Sequence, residues 1–83
     1  MELVPVRCRI PELIARRREM EPKSSEIKIN QQWLADKVSL SKQQMSDYIH
    51  LRSGYQSMGI QRAALIAYYL DCLIDDLFVW EWR

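Results

Sequence analysis

The segment NQQWLADKVSLSKQQMSDYIH, residues 30–50, has the spacing of two short helices separated by only about three residues. Asn30 is a good N-cap for the first helix. Ser41 and Gln44 form the capping-box pattern that starts a second helix. Together these signals are typical of a helix-turn-helix, in which packing of the second helix against the first decides which of its faces is exposed.

The second helix of this segment separates apolar from polar residues. We expect its apolar residues to pack on the first helix: Met45, Tyr48 and Ile49 against Leu34, Ala35 and Val38. A polar set must then project outward together: Lys42, Gln43, Gln44, Ser46 and Asp47. Lys and Gln can hydrogen-bond base edges, and the major groove of duplex DNA admits one helix. The polar face therefore indicates either a DNA-binding surface or, as in many small helical bundles, a face that simply meets water.

The rest of the chain predicts a mostly α-helical single domain over residues 1–83. Eighty-three residues give room for one core. Apolar periodicity predicts a helix at about 11–20 and another at about 59–70, and it places these residues on one face of the latter: Ile60, Ala63, Ala64, Ala67 and Leu70. A short helical turn is expected near Asp75.

The two termini alternate in polarity and predict a small antiparallel pair of strands. The alternating positions are Val4, Val6 and Cys8 at one end and Phe78, Trp80 and Trp82 at the other. We expect Trp80 or Trp82 to pack in the core, and Trp33 to contact a partner or a loop.

Charge is unevenly distributed along the chain. Residues 7–62 hold eleven Lys or Arg against six Asp or Glu, a net charge of +5. Residues 63–83 have a net charge of −3, and with Glu2 the total is +1. A basic body and an acidic C-terminal segment are consistent with one surface that faces phosphates.

Other classes of site find no support in the sequence. With one His, no Cys/His or Ser/His arrangement and no Gly-rich phosphate loop, we predict neither a catalytic residue nor a cofactor. The acidic residues near the C-terminus do not follow a calcium-loop spacing, so no metal site is predicted. No apolar run approaches the roughly 20 residues of a membrane span, and no signal peptide is recognisable. We therefore expect a cytoplasmic protein in which Cys8 and Cys72 are free thiols.

Taken together, these segments resemble the Cro/repressor-type (XRE) helix-turn-helix regulators of bacteria and phages. The resemblance spans about residues 10–78 and rests on the order and spacing of IPELIARRREM, NQQWLADKVSLSKQQMSDYI, the following Arg52, AALIAYYL and LIDDLF. It implies a bundle of five helices whose third helix contacts DNA bases. The function implied is transcription regulation, of the repressor type, by binding double-stranded operator DNA.

The resemblance also assigns roles by position. Base-contacting positions fall on Lys42, Gln43, Gln44, Ser46 and Asp47. Gln31 matches a phosphate-contacting position, and His50 and Arg52 match backbone-contacting positions after the third helix. A lone His is more often an exposed loop residue, and that alternative stays open for His50.

Three positions depart from the family pattern. Ser39 and Leu51 stand where Gly is frequent in the family. For Ser39 this implies a left-handed backbone conformation that non-Gly residues rarely take. Ile49 replaces an acidic residue that often pairs with an Arg of the first helix, which leaves Arg17 without that partner.

Apolar residues outside the predicted core indicate a protein interface. Leu65, Tyr68, Tyr69, Trp80 and Trp82 exceed what one small bundle buries, and they predict a homodimer. The alternative is that they cover the N-terminal strand within one chain. A second functional hypothesis assumes the same fold without DNA binding. The protein would then be a protein-interaction module, such as an antirepressor or an antitoxin-like adaptor.

Overall fold

The computed structural model describes residues 1–52 and 58–83. Its elements, in chain order, are β1 (Leu3–Cys8), α1 (Ile10–Met20), α2 (Gln31–Lys37), α3 (Lys42–Ile49), α4 (Gly59–Leu70), a 3-10 turn (Ile74–Leu77) and β2 (Phe78–Trp82). The predicted mostly α fold with a two-stranded antiparallel element from the termini is confirmed.

The prediction of five helices is wrong for the described part of the chain, which contains four α-helices. The predicted short helical turn near Asp75 is confirmed as the 3-10 turn Ile74–Leu77, and it is not a fifth α-helix. Asp71 ends α4 in a left-handed conformation, and the backbone N–H of Leu73 donates to Oδ2 of Asp76 at 3.0 Å, which caps the turn. Because Phe78 already pairs with β1, too few residues remain between α4 and β2 for a full helix.

The core lies where the four helices meet the inner side of the sheet. Its fully buried large side chains come from every helix and from the 3-10 turn: Ile10, Leu13, Leu34, Met45, Ile66, Leu70 and Leu77. The predicted contact between α2 and α3 is confirmed, because Leu34, Ala35, Met45 and Tyr48 are all buried in one cluster. Ile49 is half-buried and packs against that cluster.

Helix α4 begins and ends where the sequence predicts, but its inward face differs. Ile66 is fully buried, whereas Ile60 is 71% exposed and Ala64 is also exposed. The buried positions are Ala63, Ile66, Ala67 and Leu70, a set with the i, i+3, i+4, i+7 spacing of one helix face. The helix is therefore rotated away from the predicted orientation, and Ile60 and Ala64 are left on its outer side.

Strands β1 and β2 pair antiparallel, with Leu3 opposite Trp82 and Cys8 opposite Phe78. The register shifts between Pro5 and Arg7, so the sheet has an irregularity beside a residue that lacks a backbone N–H. The predicted core packing of Trp80 or Trp82 is wrong, since they are 42% and 64% exposed.

Trp33 is also placed differently from the prediction. Its ring meets the ring of Tyr69 edge-on, with 5.9 Å between centroids, and both residues are half-buried against the core. Trp33 therefore joins α2 to α4 within the chain.

The arginines of α1 connect the helices through carbonyl groups. Nη2 of Arg16 donates to the carbonyl oxygens of Leu70 and Asp71 at 3.0 and 2.7 Å. Nε of Arg18 donates to the carbonyl of Ile29 at 2.8 Å, next to the N-cap of α2. Arg16 thus binds the C-terminal end of α4, and Arg18 binds the residue just before the N-cap of α2.

Arg17 finds a partner other than the one missing at position 49. Its Nη1 atom donates to Glu21 Oε1 at 2.5 Å, and its Nε donates to the carbonyl of Tyr69 at 3.2 Å. The hydrogen bond from Arg17 to the Glu21 carboxylate lowers the pKa of that carboxyl group.

Three further observations concern the chain as a whole. Both cysteines are free, and burial raises the pKa of the Cys8 and Cys72 thiols. Within residues 1–52 and 58–83, no helix has the length and apolar character required to cross a bilayer. The same ranges contain no group of three or more His, Cys, Asp or Glu residues arranged to hold a metal ion.

Candidate nucleic-acid interface

The turn between α2 and α3 is fixed by buried residues at both ends. Val38 and Leu40 are 2% and 6% exposed, and the backbone N–H of Leu40 donates to the carbonyl of Ala35 at 2.9 Å. Between them, Ser39 has φ 57°, the left-handed conformation that the sequence predicts. Buried anchors on both sides of a sharp turn leave α3 little freedom to rotate relative to α2.

Both helices begin with the predicted caps. The side chain of Asn30 accepts from the backbone N–H of Trp33 at 2.8 Å. At the start of α3, Ser41 Oγ accepts from the backbone N–H of Gln44 at 3.1 Å, and Gln44 Oε1 accepts from the backbone N–H of Ser41 at 3.0 Å. The carbonyl oxygen of the Gln44 amide is therefore occupied at the helix start, which leaves its NH₂ group as the outward donor.

Lys42, Gln43 and Gln44 are exposed on the first turn of α3, whereas Met45 and Tyr48 are buried. Ser46 and Asp47 lie on the next turn and are half-buried. None of the five positions that the sequence identified on α3 is therefore buried in the core.

Asp47 is at the centre of a polar cluster on this surface. Its Oδ1 atom accepts from Gln43 Nε2 at 2.9 Å and lies 3.8 Å from Nη1 of Arg52. The backbone N–H of Arg52 also donates to the carbonyl of Asp47 at 2.9 Å. A carboxylate would ordinarily repel phosphates, but here a neighbouring cation balances its charge.

Ser46 connects the same cluster to His50. Nη1 of Arg52 donates to Ser46 Oγ at 2.9 Å, and His50 Nδ1 lies 2.9 Å from the carbonyl oxygen of Ser46. Because a carbonyl oxygen only accepts, Nδ1 of the exposed His50 is the donor in this contact. His50 and Arg52 are therefore both held against the last turn of α3 through Ser46.

Gln31 lies at the start of α2 and completes the set. It is exposed, and it borders a shallow hollow together with Lys42 of α3. The first turns of the two helices therefore face a common space, with a cation on one side and an amide on the other.

The sequence predicted these eight positions, but not the contacts among them. The i, i+4 spacing of Gln43 and Asp47 is the one local signal of their hydrogen bond. Nothing in the sequence indicates that Arg52 returns to Ser46 and Asp47, because that contact depends on the path of the chain after α3. Leu51, with φ 52°, turns the backbone there.

Comparison of the chain with protein-family models, with curated proteins and with solved structures finds no match.

Proposed function

We propose that the protein is a sequence-specific regulator of transcription that binds duplex operator DNA by inserting α3 into the major groove. One observation carries the proposal. Helix α3 begins with a complete capping box and is held by a short turn with buried anchors, and it exposes Lys42 and Gln43 on its first turn while Met45 is buried. A helix of this kind places side-chain donors and acceptors at base edges, where sequence is recognised.

The contact with Asp47 decides what Gln43 can present to a base. With one N–H of Nε2 committed to Asp47, the Gln43 amide offers its Oε1 acceptor and its remaining N–H donor. An adjacent acceptor and donor match the N6 amino group and N7 of adenine, whereas guanine presents two acceptors. Gln43 is therefore proposed to select adenine.

The remaining residues are proposed to position the protein on the DNA backbone. Lys42 and Arg52 supply positive charge at the two ends of the α3 surface, and Gln31 and His50 supply further hydrogen-bonding groups beside them. Contacts of this kind fix the orientation of the helix without reading sequence. The proposed action is that of a repressor, which blocks transcription where its operator overlaps a promoter.

The test is a selection of bound duplexes from a random library, followed by affinity measurements on the best site and on scrambled DNA at several salt concentrations. We expect a sequence-selective complex whose affinity falls as salt rises. Gln43→Ala should reduce the selectivity.

Gln32→Ala is the matched control, because Gln32 donates to Asp36 Oδ1 at 2.8 Å in the same i, i+4 arrangement on α2. Binding with no preference among duplexes, or no binding at all, would refute the proposal. The second result would favour the interaction-module hypothesis, which the exposed apolar residues of α4 also support.

A further inference from the structure

Helix α4 is apolar on its outer side as well as on its inner side. The structure describes all its residues, and six of them are exposed: Gly59, Ile60, Gln61, Ala64, Leu65 and Tyr68. Only Gln61 among these six has a polar amide or a charge. Helices that are apolar all round are found buried, so this outer side has the composition of a covered surface.

The apolar surface continues from α4 across the end of the sheet. One groove is lined by Leu3, Ile60, Ile74 and Trp80, among others, and an adjoining hollow is lined by Ala64, Tyr68, Leu73 and Ile74. Because Ile74 borders both, they form one surface. We call it the α4–sheet patch, and its outermost members are Leu3, Ile60, Ala64, Tyr68, Leu73 and Trp80.

The patch is large enough for a stable interface. Tyr68, Leu73 and Ile60 are 76%, 71% and 71% exposed, and Leu3 and Trp80 are 48% and 42% exposed. With about 150–250 Å² for a whole Tyr or Trp side chain and somewhat less for Leu and Ile, these exposed fractions add up to roughly 600–700 Å². This lies at the upper end of the patches of about 300–600 Å² found on typical monomers and approaches the approximately 800 Å² per partner that a standard interface buries.

We infer that the α4–sheet patch binds a second copy of this chain, with the two α4 helices crossing at Ala64 about a two-fold axis. Three features fit a self-complementary contact. None of the six patch residues is charged, and the groove and the hollow are each lined by a single charged residue, Glu2 and Asp75 respectively. Ala64, the smallest, is the midpoint of the ridge Ile60–Ala64–Tyr68, which allows the helix axes to approach closely. A two-fold axis through Ala64 then sets Ile60 of one copy beside Tyr68 of the other.

Tyr69, which the sequence grouped with the interface residues, lies outside the patch. It is half-buried, and its ring contacts both Trp33 and Tyr68. A substitution at Tyr69 would disturb the core, so Tyr68 and Ala64 are the residues that test the interface.

Light scattering and sedimentation on the DNA-free chain, at concentrations from about one to several hundred micromolar, give the first test. We expect a dimer that dissociates on dilution. Ala64→Glu should raise its dissociation constant at least a hundredfold, because two carboxylates would meet at the crossing point. Ala15→Glu is the matched control: Ala15 is exposed on α1 outside the patch, and this variant should dimerise as the unmodified chain does.

A crosslinking test does not depend on weakening the contact. In a Cys72→Ser background, which removes the half-buried thiol beside the patch, Ala64→Cys should form a disulfide-linked dimer on mild oxidation. Ala15→Cys should stay monomeric under the same conditions, and circular dichroism confirms that each variant is folded.

Several results would overturn the inference: a chain that is monomeric at every concentration, a dimer insensitive to Ala64→Glu, or equal crosslinking through positions 15 and 64. The test uses no DNA, so it is separate from the proposed function. A monomer that selects an operator would refute the dimer alone, whereas a patch-mediated dimer that binds no duplex would refute DNA binding alone.

Discussion

Gln43 Nε2 donates to Asp47 Oδ1 at 2.9 Å, one turn further along α3. An ionised carboxylate only accepts hydrogen bonds, so this contact fixes which end of the Gln43 amide faces the helix and which faces outward. Asp47 also lies 3.8 Å from Arg52. The acidic residue on the outer face of α3 therefore orients its neighbours, and its negative charge is balanced within the protein.

The first prediction concerns this orientation. Gln43→Ala should cost about 1–3 kcal/mol of binding free energy on the best duplex and should remove the preference for adenine at one position. Asp47→Asn should keep Gln43 but relax the same preference toward guanine, because an Asn side chain can accept or donate and no longer fixes the amide. Affinities for four duplexes that differ at that base pair give the measurement. Equal losses on all four would show that Gln43 contacts no base.

The second prediction concerns the DNA backbone. Arg52→Ala should weaken binding to every sequence and lower the slope of log affinity against log salt by about one unit. Gln31→Ala should weaken binding to every sequence and leave the slope unchanged, since an amide releases no counterion. Arg83→Ala removes an exposed cation from the C-terminal end of the chain and serves as control. A slope that falls equally with Arg83→Ala would place Arg52 away from the phosphates.

The third prediction concerns the turn between α2 and α3. Ser39 has φ 57°, a conformation that costs a non-Gly residue roughly 1–2 kcal/mol, and replacement by Gly removes this cost. Gly also loses more conformational freedom on folding, which offsets about 0.5–1 kcal/mol of the stabilisation. Ser39→Gly should therefore raise the free energy of unfolding by about 0.5–1 kcal/mol.

Leu51→Gly is the comparison, because Leu51 has a similar φ of 52° but packs against the core. It should gain less or lose stability through the missing side chain. Denaturant titration of both variants is the measurement, and a Ser39→Gly variant less stable than the unmodified chain would show that the turn carries no strain.

The fourth prediction concerns acid. Hydrogen bonds from Arg17 and from Arg7 lower the pKa of Glu21 and of Glu12, respectively, below the ordinary value of 4.5. A carboxyl whose pKa is lowered on folding stabilises the protein above its unfolded pKa, and this stabilisation disappears as pH falls through the folded pKa. Stability should therefore decrease as pH drops below about 5, and Glu21→Gln should make that decrease smaller.

Thermal unfolding between pH 3 and pH 7 measures the effect. Glu19→Gln, which removes an exposed carboxyl of α1 two residues before Glu21, is the control. If Glu21→Gln and Glu19→Gln shared one pH profile, the ion pair with Arg17 would contribute nothing to acid stability.

The sequence by itself determined the features that depend on neighbouring residues. The caps at Asn30 and Ser41 and the limits of α4 are all set by hydrogen bonds and backbone preferences within one turn of chain. The left-handed conformation of Ser39 was expected only from the resemblance to a family with Gly at that position. The strands at the two termini were also predictable, since their alternation is local even though their pairing is not.

Only the tertiary structure decided the features that depend on distant partners. Which side of the almost uniformly apolar α4 faces inward was settled by packing, which chose Ile66 and left Ile60 exposed. Arg16 finds its acceptors 54 and 55 positions away, so its role could not be inferred from local charge. The α4–sheet patch likewise exists because the fold brings Leu3 and Trp80 beside Ile60. Local patterns specify elements, whereas the rotation of each element and the contacts of long side chains follow from packing between elements far apart in sequence.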